Sequence, residues 1–427
     1  MKLWQKGAAA HEKVDHFTVG KDREYDLVLA QYDCQASSAH AKMLAKIGLI
    51  RPEEAEQLVA VLTEIQQQAE AGTFTIEKEF EDMHSKIEHV LTERLGDLGK
   101  KIHTARSRND QVLVAMHLYI KHELGAIKTQ VTTLFDLLLS LAEKHQNELM
   151  PGYTHLQVAM PSSFGLWFSA YAESLIDDLY FWQSAHKIAD QNPLGSAAGY
   201  GSAFPIDRDF TTKALDFSQL KINSVAAQMS RGKLEKSTAM ALSAIGSTLA
   251  KFSMDVCLYM GQDFNLISFP DNLTTGSSIM PHKKNPDLFE LVRGKCNSVQ
   301  ALPNQLALLT TNLPSGYHRE LQLAKGPIIE AIQEIKGCLE ILLFSLPTIK
   351  VAKDSTTQKK YDYLFSVDTL NQEVLAGKPF RDAYRDLGNA IEKGEYQPNR
   401  EVKHTHLGSI GNLGLEQIRE KIKPFLS

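Results

Sequence analysis

No stretch of this sequence runs uninterrupted through the roughly 18–20 apolar residues that span a bilayer. The N-terminal residues, MKLWQKGAAAHEK, also lack the apolar run of a secretory signal. Cysteine is scarce: Cys34, Cys257, Cys296 and Cys338 are scattered, with no CxxC pair. They read as free thiols in a reducing compartment, so a cytoplasmic protein is expected. Metal-ligand spacing, a P-loop and a dinucleotide fingerprint are all missing. Charge of one sign is missing too. The net charge of −5 suggests neither a nucleic-acid nor a membrane-surface partner. An anionic ligand would have to be held by a few local lysines and arginines.

Convincing β alternation is nearly absent as well. Residues 74–80, FTIEKEF, are the best candidate for a short strand or extended loop. What is present is long helical patterning in a chain of 427 residues, 43% of them hydrophobic and 23% charged. Leu113, Met116, Ile120, Leu124, Ile127, Val131, Leu134, Leu138 and Leu141 recur at steps of three and four, one face of a continuous helix. At 1.5 Å per residue that helix is about 42 Å long. A second stripe runs Leu242, Ile245, Leu249, Phe252, Val256, Tyr259, and a third Ile328, Ile332, Ile335, Leu339, Leu342, Leu346. Stripes of this length are buried in helix bundles. An all-α chain is expected, with domains 1–105, 106–360 and 361–427, the last starting where the composition turns polar.

Between the helices lie segments that combine Gly or Pro with polar side chains: 99–110, 150–161, 192–205, 270–286 and 312–318. They read as loops, where function concentrates on a rigid frame. Ile102–Gln111, IHTARSRNDQ, directly precedes the longest helix. Asn109 or Asp110 would serve as its N-cap. Two arginines with Thr104, Ser107 and Asn109 also suit a carboxylate site at a helix N-terminus. In Tyr153–Gln157, YTHLQ, the histidine is either structural or a proton carrier. Gly276–Pro286, GSSIMPHKKNP, is either a solvated loop or a flap. As a flap it would bring a serine and a cation onto an anionic substrate. Glu290 follows on the next helix, where a first-turn acid needs only the macrodipole to explain it. Gln322 and Lys325 share one helix face, on a solvated surface or a polar pocket wall.

Taken together these segments resemble the fumarase/aspartase superfamily, whose GSSxMPxKxN loop stands here as Gly276, Ser277, Ser278, Met280, Pro281, Lys283 and Asn285. Within it they are most similar to the argininosuccinate lyase family. HTARSRNDQ, GYTHLQ, GSSIMPHKKNPD, the Tyr317–Gln322–Lys325 set after Pro-Ser, and the C-terminal PFRDAYRDLG follow that family's pattern in order. The resemblance implies a three-domain fold whose central long helices form a twenty-helix core in a homotetramer. It implies active sites assembled from loops of three subunits. It implies reversible β-elimination of argininosuccinate to arginine and fumarate, in arginine biosynthesis, without cofactor or metal.

Carried over residue by residue, Ser277 would be the base, helped by Lys283 and backbone N–H groups. His155 would be the acid, paired with Glu290, although the family's base has also been assigned to the histidine. Substrate contacts would be Asn109, Thr154, Tyr317, Gln322 and Lys325. Asn285 with Lys283 would hold the fumarate-side carboxylates, and Ser107 and Arg108 would join the same shell. The chain departs from the family at LWQKG, in place of LWGGRF. FTVGKDREYD, near 17–26, replaces the segment with a substrate-contacting serine, and Val158 and Met160 replace polar residues. The alternatives that remain are a sister enzyme (fumarase, aspartase or adenylosuccinate lyase) and a non-catalytic helical scaffold of the lens-protein kind.

Overall fold

The computed structural model describes residues 12–426; the LWQKG run lies outside them. Helices dominate. The first long stripe lies on Arg108–Lys144, a helix of 37 residues and thus about 55 Å. All of its stripe residues from Leu113 to Leu141 are buried. The second stripe lies on Lys233–Met260, 28 residues, and the third on Lys325–Ser345, 21 residues, continued by a 3₁₀ turn at Leu346. Two further long helices, Asp22–Lys46 and Phe164–Ala189, complete the set.

The chain divides into two compact units, each built from three segments. The first takes residues 1–128, 181–244 and 298–335. In it the helix Asp22–Lys46 packs along Pro52–Glu70 and against Met83–Leu95. The pairing buries Leu29, Met43 and Leu44 with Leu58, Leu62 and Ile65. The second takes residues 129–180, 245–297 and 336–427. Its centre is aromatic: Trp167 stacks on Phe252 at 5.3 Å, with Tyr171 edge-on to Phe252 at 5.0 Å. Trp167 and Tyr171 donate to the Asp255 carboxylate at 3.0 and 2.6 Å, satisfying both polar tips.

The segment 74–80 is an extended loop without strand pairing. Among the described residues the longest strand pair lies where a loop was expected, at 150–161. Strands Leu149–Thr154 and Gln157–Ser163 pair antiparallel, from Leu149↔Ser163 to Thr154↔Gln157. Their sequence, LMPGYT and QVAMPSS, carries two prolines and a glycine and hides the pairing. The prolines face each other as Pro151↔Pro161, and the register shifts beside Gly152. A Cβ at Gly152 would stand 2.7 Å from the Met160 carbonyl oxygen. Only glycine lets the strands approach that closely.

The helices Arg108–Lys144 and Lys233–Met260 are long and apolar enough, by length and composition, to cross a bilayer, although polar residues interrupt both. Burial within the chain covers 44% and 56% of the qualifying windows. Met240, Met254, Leu291, Leu308 and Phe344 remain exposed on helices of the chain. All four cysteines are free thiols, and Cys34, Cys296 and Cys338 are buried.

Candidate active site

The first unit holds a cavity of about 200 Å³ whose wall includes Arg108, Asn109, Tyr317, Gln322 and Lys325. Five of the residues singled out from sequence therefore meet in one place. They come from the start of the longest helix and from the 317–325 segment. In that segment Arg319–Ala324 is a 3₁₀ helix that feeds directly into Lys325–Ser345. At three residues per turn, Gln322 and Lys325 stay on one side. Of the two readings left open for that pair, the pocket wall holds.

The helix start corrects the expected cap. The helix begins at Arg108, and the Asn109 N–H donates to Ser107 Oγ at 3.3 Å. Ser107 thus takes the N-cap place that Asn109 or Asp110 was expected to fill. Asn109 is freed to line the cavity. Asp110 points inward, fully buried, and accepts from the Gly195 N–H at 3.0 Å and the Ser196 hydroxyl at 3.3 Å. Burial pushes its carboxyl up to about 7, against the opposing pull of Arg106 and those donors. The two arginines of the motif also separate. Arg106 is buried and donates to Ser37 Oγ at 2.8 Å and the Ile102 carbonyl at 3.1 Å. Arg108 alone reaches the cavity, held by Ser85 Oγ at 2.6 Å, Glu81 at 3.1 Å and Asp82 at 3.2 Å.

The cavity also gathers residues that sequence reasoning missed. Lys325 is buried between Asp26, at 2.6 Å, and Asp22, at 2.8 Å. Burial alone would lower its pKa. The two carboxylates outweigh burial and hold the ammonium above its ordinary value. Asp22 moves up as well, through burial and the neighbouring Asp26 charge, because two acids share one cation. Arg319 bridges Glu81, at 3.1 Å, and the Thr18 carbonyl, at 3.2 Å, which also accepts from Gln322 at 3.1 Å. Arg231 pairs with the buried Glu235 at 3.3 Å. His84 lies 3.0 Å from the buried Asp33, without the alignment of a hydrogen bond. Burial there opposes protonation, but the surrounding carboxylates prevail and raise the imidazole's pKa. The i,i+4 pair Asp22/Asp26 and the run Glu81-Asp82-Met83-His84 were the available signals in the sequence. The divergent 17–26 segment thus places Thr18, Val19, Asp22 and Asp26 at or beside the cavity.

Four carboxylates (Asp22, Asp26, Glu81, Asp82) therefore face four cations (Arg108, Arg231, Arg319, Lys325) around one space. A wall of this kind does not select an anion by net field. It offers both acceptors and donors, as a ligand carrying carboxylates together with cationic nitrogen requires.

The remaining candidates lie in the second unit. His155 and Leu156 are the two central residues of the hairpin turn, at φ 55° and 57°. Positive φ at both positions is the signature of a type I′ turn, which favours Asn-Gly. Here two side-chain-bearing residues accept that strain, and both are exposed, Leu156 at 70%. Strained backbone of this kind collects at functional positions. Thr154 flanks the turn, paired with Gln157.

The 276–286 segment is a loop closed at its base. Thr275 and Asn285 exchange backbone hydrogen bonds at 3.3 and 2.8 Å and pin its base. Within it, Ser277 Oγ accepts the N–H groups of Met280 at 3.1 Å and Ile279 at 3.4 Å. Asn285 turns its amide inward, to Thr275 Oγ1 at 3.4 Å and the Gly276 carbonyl at 3.5 Å. Lys284 pairs with Asp271, whereas the side chain of Lys283 is exposed with no ion pair among the described residues. Glu290 is exposed on the first turn of Asp287–Val299, and no ion pair joins it to His155 among the described residues of one chain. The candidates thus form two sets. Ser107, Arg108, Asn109, Tyr317, Gln322 and Lys325 belong to the first unit. Thr154, His155, Ser277, Lys283, Asn285 and Glu290 belong to the second.

The fold matches an EDDS lyase variant with bound fumarate at TM-score 0.77 and 20% identity, covering 99% of this chain and 91% of that one. Residues 10–301 match the family model described as lyase. Within that class, an argininosuccinate lyase of Parabacteroides distasonis is 52% identical over 417 residues, 98% of this chain and 94% of the relative. One of Phocaeicola vulgatus is 50% identical over 422 residues, 99% and 95% respectively. The chain belongs to the argininosuccinate lyase family.

Proposed function

We propose that this protein cleaves argininosuccinate reversibly to L-arginine and fumarate, as a carbon–nitrogen lyase of arginine biosynthesis. The observation that carries this reading is the mixed-charge cavity around Asn109, Tyr317, Gln322 and Lys325. Argininosuccinate bears three carboxylates, an ammonium and a guanidinium, and needs acceptors and donors side by side. A dicarboxylate such as malate would leave the acidic half of that wall unused.

The chemistry follows from the bond that breaks. A base removes the proton from the succinyl carbon next to a carboxylate. The electron pair left behind, delocalised into an aci-carboxylate, forms the C=C bond of fumarate as the C–N bond breaks. The departing guanidino nitrogen takes a proton from an acid. No redox change occurs, and no cofactor is called for. Ser277 is the base in this scheme. The Met280 and Ile279 N–H groups on its oxygen, with Lys283 on the same loop, support an alkoxide that a free serine could not sustain. His155 is the acid, its turn strain fixing the imidazole, and Glu290 orients it. Asn109, Thr154, Tyr317 and Gln322 bind substrate together with Ser107 and Arg108. Lys283 and Asn285 hold the fumarate-side carboxylates, and Lys325, its charge already balanced by Asp22 and Asp26, is a further substrate contact.

The two residue sets cooperate when copies of the chain associate. We assign a cytoplasmic homotetramer with a twenty-helix core and sites shared among subunits. The domains would be 1–105, 106–360 and 361–427. The exposed apolar residues on the long helices support association. Exchange of the carbon-bound substrate proton with solvent tests the base: Ser277→Ala abolishes both exchange and elimination. Exchange at the unmodified rate with elimination lost would remove Ser277 from that role.

A further inference from the structure

Beside the substrate cavity, the first unit holds a second space of about 190 Å³ whose charged lining is of one sign. Its charged lining consists of Arg231, Lys233 and Lys236, with no carboxylate among them. Arg231 is shared with the mixed-charge cavity, so the two spaces have a wall in common. Glu235, in the same turn of helix, does not neutralise the lysines. It is wholly buried, and its oxygens are taken up by Arg231 Nε at 3.3 Å and the Gly232 N–H at 2.7 Å. Neither the Lys233 nor the Lys236 side chain makes a hydrogen bond or ion pair among the described residues, and Lys233 is exposed.

Arg231, at the shared wall, is held in place. Gly232, at φ +79°, makes the turn that carries Arg231 and Lys233, and a Cβ there would lie 2.6 Å from the Thr310 methyl. Arg231 is further tied to the Leu321 carbonyl at 3.4 Å. The Leu313–Gly316 segment, with Ser315, also lines the space. The local potential is felt outside the cavity. Lys221, already lowered by burial, is lowered further by the Lys233 charge. With Arg231 balanced by Glu235, the two lysines still place unpaired positive charge around a small space, at an electrostatic cost that a bound anion would offset.

We propose that this second cavity is a binding site for a small multivalent oxyanion, a phosphate or a dicarboxylate, separate from the substrate cavity. Lys233 and Lys236 supply its charge and Ser315 a neutral donor. Arg231 makes it adjacent to catalysis, so that occupation of one space is felt in the other through a common side chain. This goes beyond the lyase reading and does not depend on it, because the ligand is read by binding alone.

Titration calorimetry on the intact protein tests the site, with inorganic phosphate and, separately, succinate. Ionic strength is held constant with chloride. Saturable binding of at least one of them is expected. Succinate also has a route into the substrate cavity, so the assignment rests on Lys233→Met/Lys236→Met, which should weaken binding by about tenfold or more. The same variant should keep the KM of the unmodified protein when phosphate is absent. Retained circular dichroism and assembly size show that the variant is folded. Equal affinity in the folded variant, or no saturable binding of either anion to the unmodified protein, would overturn the proposal.

Discussion

At the scale of single residues, the account turns on where charge is buried and what balances it. Lys325 is 3% exposed and sits between two aspartates. Lys325→Met leaves two buried carboxylates without their cation and should cost about 3–5 kcal/mol of stability. Urea unfolding measures this. A loss below about 1 kcal/mol would mean the pair behaves like an exposed one. Asp110 gives a pH dependence of definite sign. Its folded carboxyl titrates near 7, far above the ordinary 3.8, so the folded state keeps a proton that the unfolded chain has lost. Its contribution is complete below the unfolded value and disappears as pH rises through 7. Stability relative to Asp110→Asn should therefore fall between pH 5 and about 8, read from denaturant midpoints at each pH. A difference that grows with pH would refute the assignment.

The residue scale also shows what the sequence could and could not tell. Asn109, Tyr317, Gln322 and Lys325 were legible because their motifs place polar side chains against helix starts. Asp22, Glu81 and Arg231 were not, because a charged residue at a helix start or in the turn before one is ordinarily a solvated one. Only tertiary packing turns these three inward. The same ambiguity misplaced the cap: Ser107, Asn109 and Asp110 are all good N-caps, and burial of Asp110 against Gly195 decided among them.

Among the elements, the three apolar stripes predicted helices that the fold contains, although the second helix starts at Lys233, nine residues before its stripe, and the third ends at Ser345, just short of Leu346. The helix Phe164–Ala189 escaped notice because Trp167, Phe168 and Tyr171 pack into an aromatic centre on several faces, which blurs any single stripe. The hairpin escaped because its two prolines and Gly152 read as breakers, whereas the prolines pair with each other. Its turn yields a direct test. Leu156 is exposed at φ 57°, so Leu156→Gly relieves strain worth on the order of 1 kcal/mol. The melting temperature should rise slightly while kcat falls, since the turn no longer holds His155 as firmly. Unchanged kcat would show that turn geometry does not serve the imidazole.

For the whole molecule, the division of candidates between two compact units becomes the main prediction. Sites completed by other copies require that defective chains rescue one another. Ser277→Ala protomers and Asn109→Ala protomers, each nearly inactive alone, should regain activity when unfolded together and reassembled. Mixed assemblies would contain sites with both residues intact. Recovery no greater than the sum of the separate variants would place each site within one chain. The exposed methionines and Phe344 on the long helices should likewise be protected from solvent in the assembly, as hydrogen exchange or oxidative footprinting would register.

The central claim is that a wall of paired opposite charges selects a substrate carrying both guanidinium and carboxylates, and that elimination follows. The most direct measurement is fumarate release, followed by absorbance, with argininosuccinate, malate, aspartate and adenylosuccinate supplied in turn. The account predicts fumarate and arginine in equal amounts from argininosuccinate and no turnover of the other three. Turnover of only malate, aspartate or adenylosuccinate, or of none of the four, would contradict it.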